Sequence, residues 1–124
     1  MNVTRLAFLA LLAPTLFAQD ITGSYRGTIK VDAGGDSRVI DGFIIIKESN
    51  GAVTVSAGPD ASEQYPAESV QRDGNAIKFV VLAGSETPRK LSFDLTIKEN
   101  QLSGKAIFER DGKTQTGTLM FKKQ

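Results

Sequence analysis

After residue 20, apolar and polar positions alternate with a period of two along nearly the whole chain, the spacing of half-buried β-strands. In Ile21-Thr22-Gly23-Ser24-Tyr25-Arg26-Gly27-Thr28-Ile29, the residues Ile21, Tyr25 and Ile29 share a dry face with Gly23 and Gly27. Ser24, Arg26, Thr28 and Lys30 share a wet one. Glycines beside Tyr25 let the strand bend or let another segment approach its backbone. Asp32-Ala33-Gly34-Gly35-Asp36 reads as a turn. Arg38 to Lys47 reads as a second strand. Its Phe43-Ile44-Ile45-Ile46 run breaks strict alternation, so either both faces are covered or a bulge near Gly42 re-aims it. Ser49-Asn50-Gly51 closes a hairpin, and Val53 and Val55 continue the dry face of a third strand.

The longest polar interruption is Gly58 to Pro66, read as a loop over a barrel end or edge. Ala67 to Arg72 gives a fourth strand, and Asp73-Gly74-Asn75 a turn. Ala76 to Leu82 gives a fifth strand with Ile77, Phe79 and Val81 inward, before a loop over Gly84 to Pro88. Leu91, Phe93, Leu95 and Ile97 alternate with Ser92, Asp94, Thr96 and Lys98 in a sixth. Asn100 sits in the following turn, and Leu102, Ala106 and Phe108 stripe a seventh. Asp111-Gly112 turns the chain into an eighth strand, Lys113 to Lys122, with Leu119 and Phe121 inward.

Short connections imply antiparallel pairing of neighbours, since parallel partners need longer crossovers. A flat sheet of eight would leave two open edges and an apolar face in water. The expected fold is therefore all-β, a single antiparallel up-and-down eight-stranded barrel. A two-sheet β-sandwich is the alternative.

Residues 1–18 stand apart from this pattern. Arg5 precedes the apolar run Leu6 to Leu12, and a Pro-containing stretch ends at Ala18, the organisation of a secretory signal peptide. The expected mature domain is 19–124, exported to the periplasm or secreted. After signal removal, no apolar run suited to a membrane-spanning helix is expected. The full chain has 15 Lys and Arg against 14 Asp and Glu; losing Arg5 makes the two equal. Balanced, dispersed charge offers no footprint for nucleic acid.

Gly23, Tyr25, Gly27 and Thr28 resemble the Gly-x-Trp/Tyr-x-Gly-Thr opening of small exported bacterial β-barrel domains. The similarity extends through Gly58-Pro59-Asp60 and Glu63-Gln64-Tyr65-Pro66. Gly23-Ser24-Tyr25 also looks like the Gly-x-Trp start of lipocalin and avidin-type barrels, with tyrosine in place of tryptophan. The resemblance implies a calycin-like barrel. Related domains occur alone or ahead of secreted serine hydrolases, and they offer no catalytic residues to carry over.

The chain has no histidine and no cysteine, which removes the commonest general base, the thiolate nucleophile and the usual zinc ligands. Asp60 and Glu63 form the only acidic pair of the long loop, and their spacing fixes no glycosidase geometry. Asp32 to Asp36 lacks the further ligands of a calcium loop. No enzyme activity and no cofactor are expected.

Tyr25 reads either as a core plug with a bonded hydroxyl or as a ligand contact. Tyr65 reads as a loop anchor or a partner contact. Arg26, Arg72 and Arg110 read as wet-face charges, or one of them caps Tyr25. Eight strands leave an interior that side chains fill or that holds one small ligand. Phe43, Phe79, Phe93, Phe108 and Phe121 would fill it, whereas Gly23, Gly27, Gly104 and Ala106 leave space near one end. The leading expectation is a binding module for a small apolar or amphipathic ligand contacting Tyr25, Phe43, Phe79, Phe93 and Phe108. The other is an interaction domain whose Asp60, Glu63, Gln64 and Tyr65 meet an envelope protein or glycan.

Overall fold

The structure is a computed structural model that describes residues 20–33, 35–84 and 88–124. The expected signal peptide, 1–18, and its expected cleavage site lie outside the described residues.

The strands are β1 (Gly23–Ala33), β2 (Asp36–Ser49), β3 (Ala52–Gly58), β4 (Tyr65–Asp73), β5 (Ala76–Ala83), β6 (Arg89–Lys98), β7 (Gln101–Arg110) and β8 (Lys113–Lys123). Each pairs antiparallel with its sequence neighbours, and β1 pairs with β8, so the sheet closes as an up-and-down barrel. Closure decides against the sandwich and removes the free edges that eight strands would otherwise expose. Among the described residues no helix is long and apolar enough to cross a membrane.

Tight turns set the up-and-down path. Asn50 (φ 52°) and Gly51 (φ 82°) both take the positive φ that a two-residue hairpin turn requires. Glu99 (φ 51°) and Asn100 (φ 65°) do the same without a glycine.

The inward stripes are those the alternation predicts. Ile77, Phe79 and Val81 on β5, Leu95 and Ile97 on β6, Leu102 and Ala106 on β7, and Leu119 and Phe121 on β8 are all buried in one core. Phe79 and Phe93, directly opposite on β5 and β6, stack with ring centroids 4.8 Å apart.

One alternative of the sequence reading is decided, in favour of β2 covered on both faces, and one feature departs from that reading. The β1–β2 register runs unbroken from Gly23↔Ile46 to Ala33↔Asp36, so β2 has no bulge at Gly42. Ile44 and Ile46 point into the core, and Phe43 therefore points out, opposite Arg26. The bulge lies instead in β4, between Glu68 and Gln71, with Ser69 at φ 54°.

The seam between β3 and β4 is the weakest in the barrel. Only Ser56↔Pro66 and Ala57↔Tyr65 pair across it. Pro66 has no N–H to give a ladder, and from Ala67 on β4 pairs with β5 alone. Gln64 compensates with side-chain bonds. Its Nε2 donates to the Phe43 carbonyl at 3.1 Å, and its Oε1 accepts from the Ser56 hydroxyl at 2.7 Å.

Candidate functional site

The two ends of the barrel differ. At the closed end the segment before β1 folds across the base, where Ile21 is fully buried. The Tyr25 hydroxyl donates to the Ile21 carbonyl at 2.8 Å, and the Ile21 N–H donates to Glu48 Oε1 at 2.8 Å. Glu48 Oε2 also takes a 2.7 Å salt bridge from Arg72 Nη1. Glu48 lies opposite Val53 and Arg72 opposite Ile77, so both occupy inward positions at the ends of their strands. Arg72 is thus no wet-face charge; it is part of an ionic floor beneath the core. Burial, then the carboxylates of Asp20 and Glu48, push the Tyr25 phenol up from its ordinary value, with Arg72 opposing them.

The opposite end is open. A cavity of about 280 Å³ enters the barrel there. Phe93, Phe108 and Phe121 line its depth together with Ile29. Ile40, Ala57, Leu91 and Ala83 wall it, and Tyr65, Pro59 and Gly84 border the mouth. Ala57 and Ala83 leave room on the wall, whereas a Cβ on Gly58 would meet the Glu63 carbonyl, so that glycine admits the loop before β4.

Gly23, Gly27, Gly104 and Ala106, the positions expected to leave space, do not line the cavity. A Cβ on Gly27 would meet the Met120 carbonyl and Phe121, and one on Gly42 would meet the tip of the same ring. Phe121 has taken that space. A Cβ on Gly104 would meet the Asp94 carbonyl on the neighbouring strand, so this glycine permits close strand approach.

Of the five residues expected at a ligand, only Phe93 and Phe108 come together on the cavity wall. Tyr25 and Phe79 lie in the solid core away from it. Phe43 borders the mouth, but its ring packs on the outer face under the Arg26 guanidinium, 5.2 Å from the ring centroid.

The loop before β4 is built from its own bonds. Asp60 Oδ1 accepts from the N–H groups of Ser62 and Glu63 and from the Ser62 hydroxyl. These bonds, the Ser62 hydroxyl first, hold the Asp60 carboxyl below its ordinary value. Gln64 Nε2 also donates to the Asp60 carbonyl at 2.9 Å. The Tyr65 ring packs against the core, and its hydroxyl donates to Glu63 Oε2 at 2.5 Å, a bond that raises the phenol pKa. Asp60, Glu63, Gln64 and Tyr65 are therefore brought together as a folded rim element, with Tyr65 in the anchoring role. Among the described residues no group of three or more acidic side chains is placed to hold a metal.

Above the cavity lies a set of positions that the sequence reading passed over or, for Arg110, read as a wet-face charge. Arg38 lies opposite the buried Val31, Arg89 opposite Ala83, and Arg110 opposite Lys113. All four occupy the inward register at the open end, and with Gln115 they line a groove that shares Arg89 and Phe108 with the cavity. The signal was present. Continuing the inward alternation past Ile40, Leu91 and Phe108 lands on Arg38, Arg89 and Arg110.

No family model matches this sequence, and no curated protein matches it either. The eight-stranded antiparallel barrel is the shared ground with calycin-like folds.

Proposed function

We propose that this chain is an exported, non-enzymatic binding module of lipocalin-like design, which holds a small apolar or amphipathic molecule at the open end of its barrel. The observation that carries this reading is the apolar cavity of about 280 Å³ above a filled, bonded base. Ligand pockets are concave, mostly apolar and largely preformed, and about 300 Å³ is the lower end of their range. At ~30 Å³ per water-sized group, the cavity takes a ligand portion of about nine heavy atoms. Export rests on the leader-like residues 1–18 alone.

An envelope partner gripping the 58–66 loop is the weaker reading. Gln64 and Tyr65 are spent on bonds within the chain, which leaves Asp60 and its exposed neighbours as the contact surface.

The test is titration with a neutral fluorescent hydrophobic probe, on the unmodified chain and on Ala57→Leu, which fills part of the cavity from β3. One probe per chain is expected, with affinity weakened in Ala57→Leu. Absence of binding, or equal affinity in the two proteins, would remove the cavity as the binding site. Recovery of the chain with residues 1–18 still attached from the envelope fraction of expressing cells would count against export.

A further inference from the structure

The inward register of a barrel strand is where side chains meet the core, so a charge there needs a partner or water. At the closed end the need is met within the chain, by Glu48 and Arg72 at 2.7 Å. At the open end Arg38, Arg110 and Lys113 stand in water and Arg89 is half-buried. Arg38, Arg89, Arg110 and Lys113 come from β2, β6, β7 and β8 and converge on one groove beside the cavity. Among the described residues, Arg110 has a carboxylate at 4.0 Å, from Asp111, and Arg38, Arg89 and Lys113 have none within that distance. Arg89 is half-buried and lines both cavity and groove, which joins the cationic site to the apolar one. Three carboxylates also border the site, Asp41 and Glu63 at the cavity and Asp111 at the groove, with Glu63 Oε2 accepting from the Tyr65 hydroxyl, so the four cations exceed the anions by one.

We infer that the occupant is a single-chain anionic amphiphile: its tail fills the cavity, and its head group is held at the mouth by Arg89 with Lys113, Arg38 and Arg110. This rests on the cavity reading above and deepens it. A tail of about nine heavy atoms matches the volume at ~30 Å³ per group, the scale of one medium-length chain. Arginine supplies planar paired donors suited to a carboxylate or phosphate oxygen pair, and such charge-assisted bonds are roughly twice as strong as neutral ones. The open mouth keeps the head group near water, so salt should weaken the preference.

The experiment is calorimetric titration of the unmodified chain with decanoate, decanol and decyltrimethylammonium at neutral pH, at low and at physiological salt. Decanoate is expected to bind about tenfold more tightly than decanol, ~1.4 kcal/mol, with the cationic probe weakest. The ratio should fall on adding salt and approach one in the double variant Arg89→Gln, Lys113→Gln. Decyl phosphate in the same series separates a carboxylate site from a phosphate site. Equal affinities for decanoate and decanol in the unmodified chain, both weakened by Ala57→Leu, would overturn the head-group inference while leaving the cavity reading intact. No binding of any of the probes would overturn both. The ratio in the unmodified chain does not depend on whether the double variant folds.

Discussion

Replacing Glu48 by glutamine removes one charge from the closed end of the barrel and leaves the shape of the side chain in place. Glutamine keeps a carbonyl oxygen to accept the Ile21 N–H, now held at 2.8 Å, so the substitution isolates the salt bridge to Arg72. The Arg72 and Glu48 side chains are 15% and 24% exposed, between a surface pair and a buried one. Exposed pairs contribute ~0.2–1 kcal/mol, and removing one partner of a buried pair costs ~3–5 kcal/mol. The 2.7 Å contact and the partial exposure place the loss at about 2 kcal/mol. For a domain of this size that corresponds to a fall in Tm of about 10 °C. Urea unfolding of Glu48→Gln, Arg72→Met and the double variant closes a thermodynamic cycle. A coupling energy of about 1 kcal/mol or more is expected for residues in one bonded network. A fall in Tm of less than about 2 °C, or a coupling near zero, would show that the ionic floor does not stabilise the barrel.

Three further outcomes follow from particular contacts. Phe43→Ala should cost about 2–3 kcal/mol in urea unfolding, by lost apolar burial, whereas Arg26→Ala should cost less than ~1 kcal/mol, since an exposed cation contributes little to the ring beneath it; equal losses would contradict the layering. The depressed Asp60 carboxyl contributes loop stability that is present above its unfolded value and is lost as pH falls through the lower folded one, so the Ser62 and Glu63 amide signals should titrate with a midpoint below 3.8. In Asp60→Asn, whose side-chain oxygen still accepts, those signals should not show that titration. The raised Tyr25 phenol contributes stability that is full below its unfolded value near 10.0 and is lost as pH rises through the folded one. Tyr25→Phe should therefore lose about 1 kcal/mol at neutral pH, from the missing bond to Ile21, and show a shallower alkaline decline than the unmodified chain.

The strands were legible because the pleat is a local property. Successive side chains leave a strand on opposite faces whatever lies beyond it, so Ile77, Phe79 and Val81, or Leu95 and Ile97, could be placed indoors from their spacing. Turns were legible for the same reason at Asn50-Gly51 and Asp111-Gly112, where residue chemistry selects the backbone conformation. Ser69 was not. A non-glycine residue with positive φ inside a polar strand leaves no mark in the pattern, and its bulge is imposed by the neighbouring strands.

The site was legible only in part. Phe93 and Phe108 could be named because they lie on inward stripes; Phe43 lines the mouth, but its outward direction was hidden because an apolar run does not show which of its members faces in. Its direction follows from pairing with Arg26 across β1 and β2.

By itself, then, the amino-acid order determined eight amphipathic strands, their inward stripes and their turns, all properties of residues two to five apart. The tertiary structure decided what depends on residues far apart. Closure by β1 and β8 made a barrel of the sheet, Phe121 filled the gaps over Gly27 and Gly42, and Glu48 met Arg72 across the base. The same closure gathered Arg38, Arg89, Arg110 and Lys113 around one mouth. Which glycine gap is filled and which inward charge finds a partner depends on the shear and curvature of the closed sheet, and those are fixed only when all eight strands are in register.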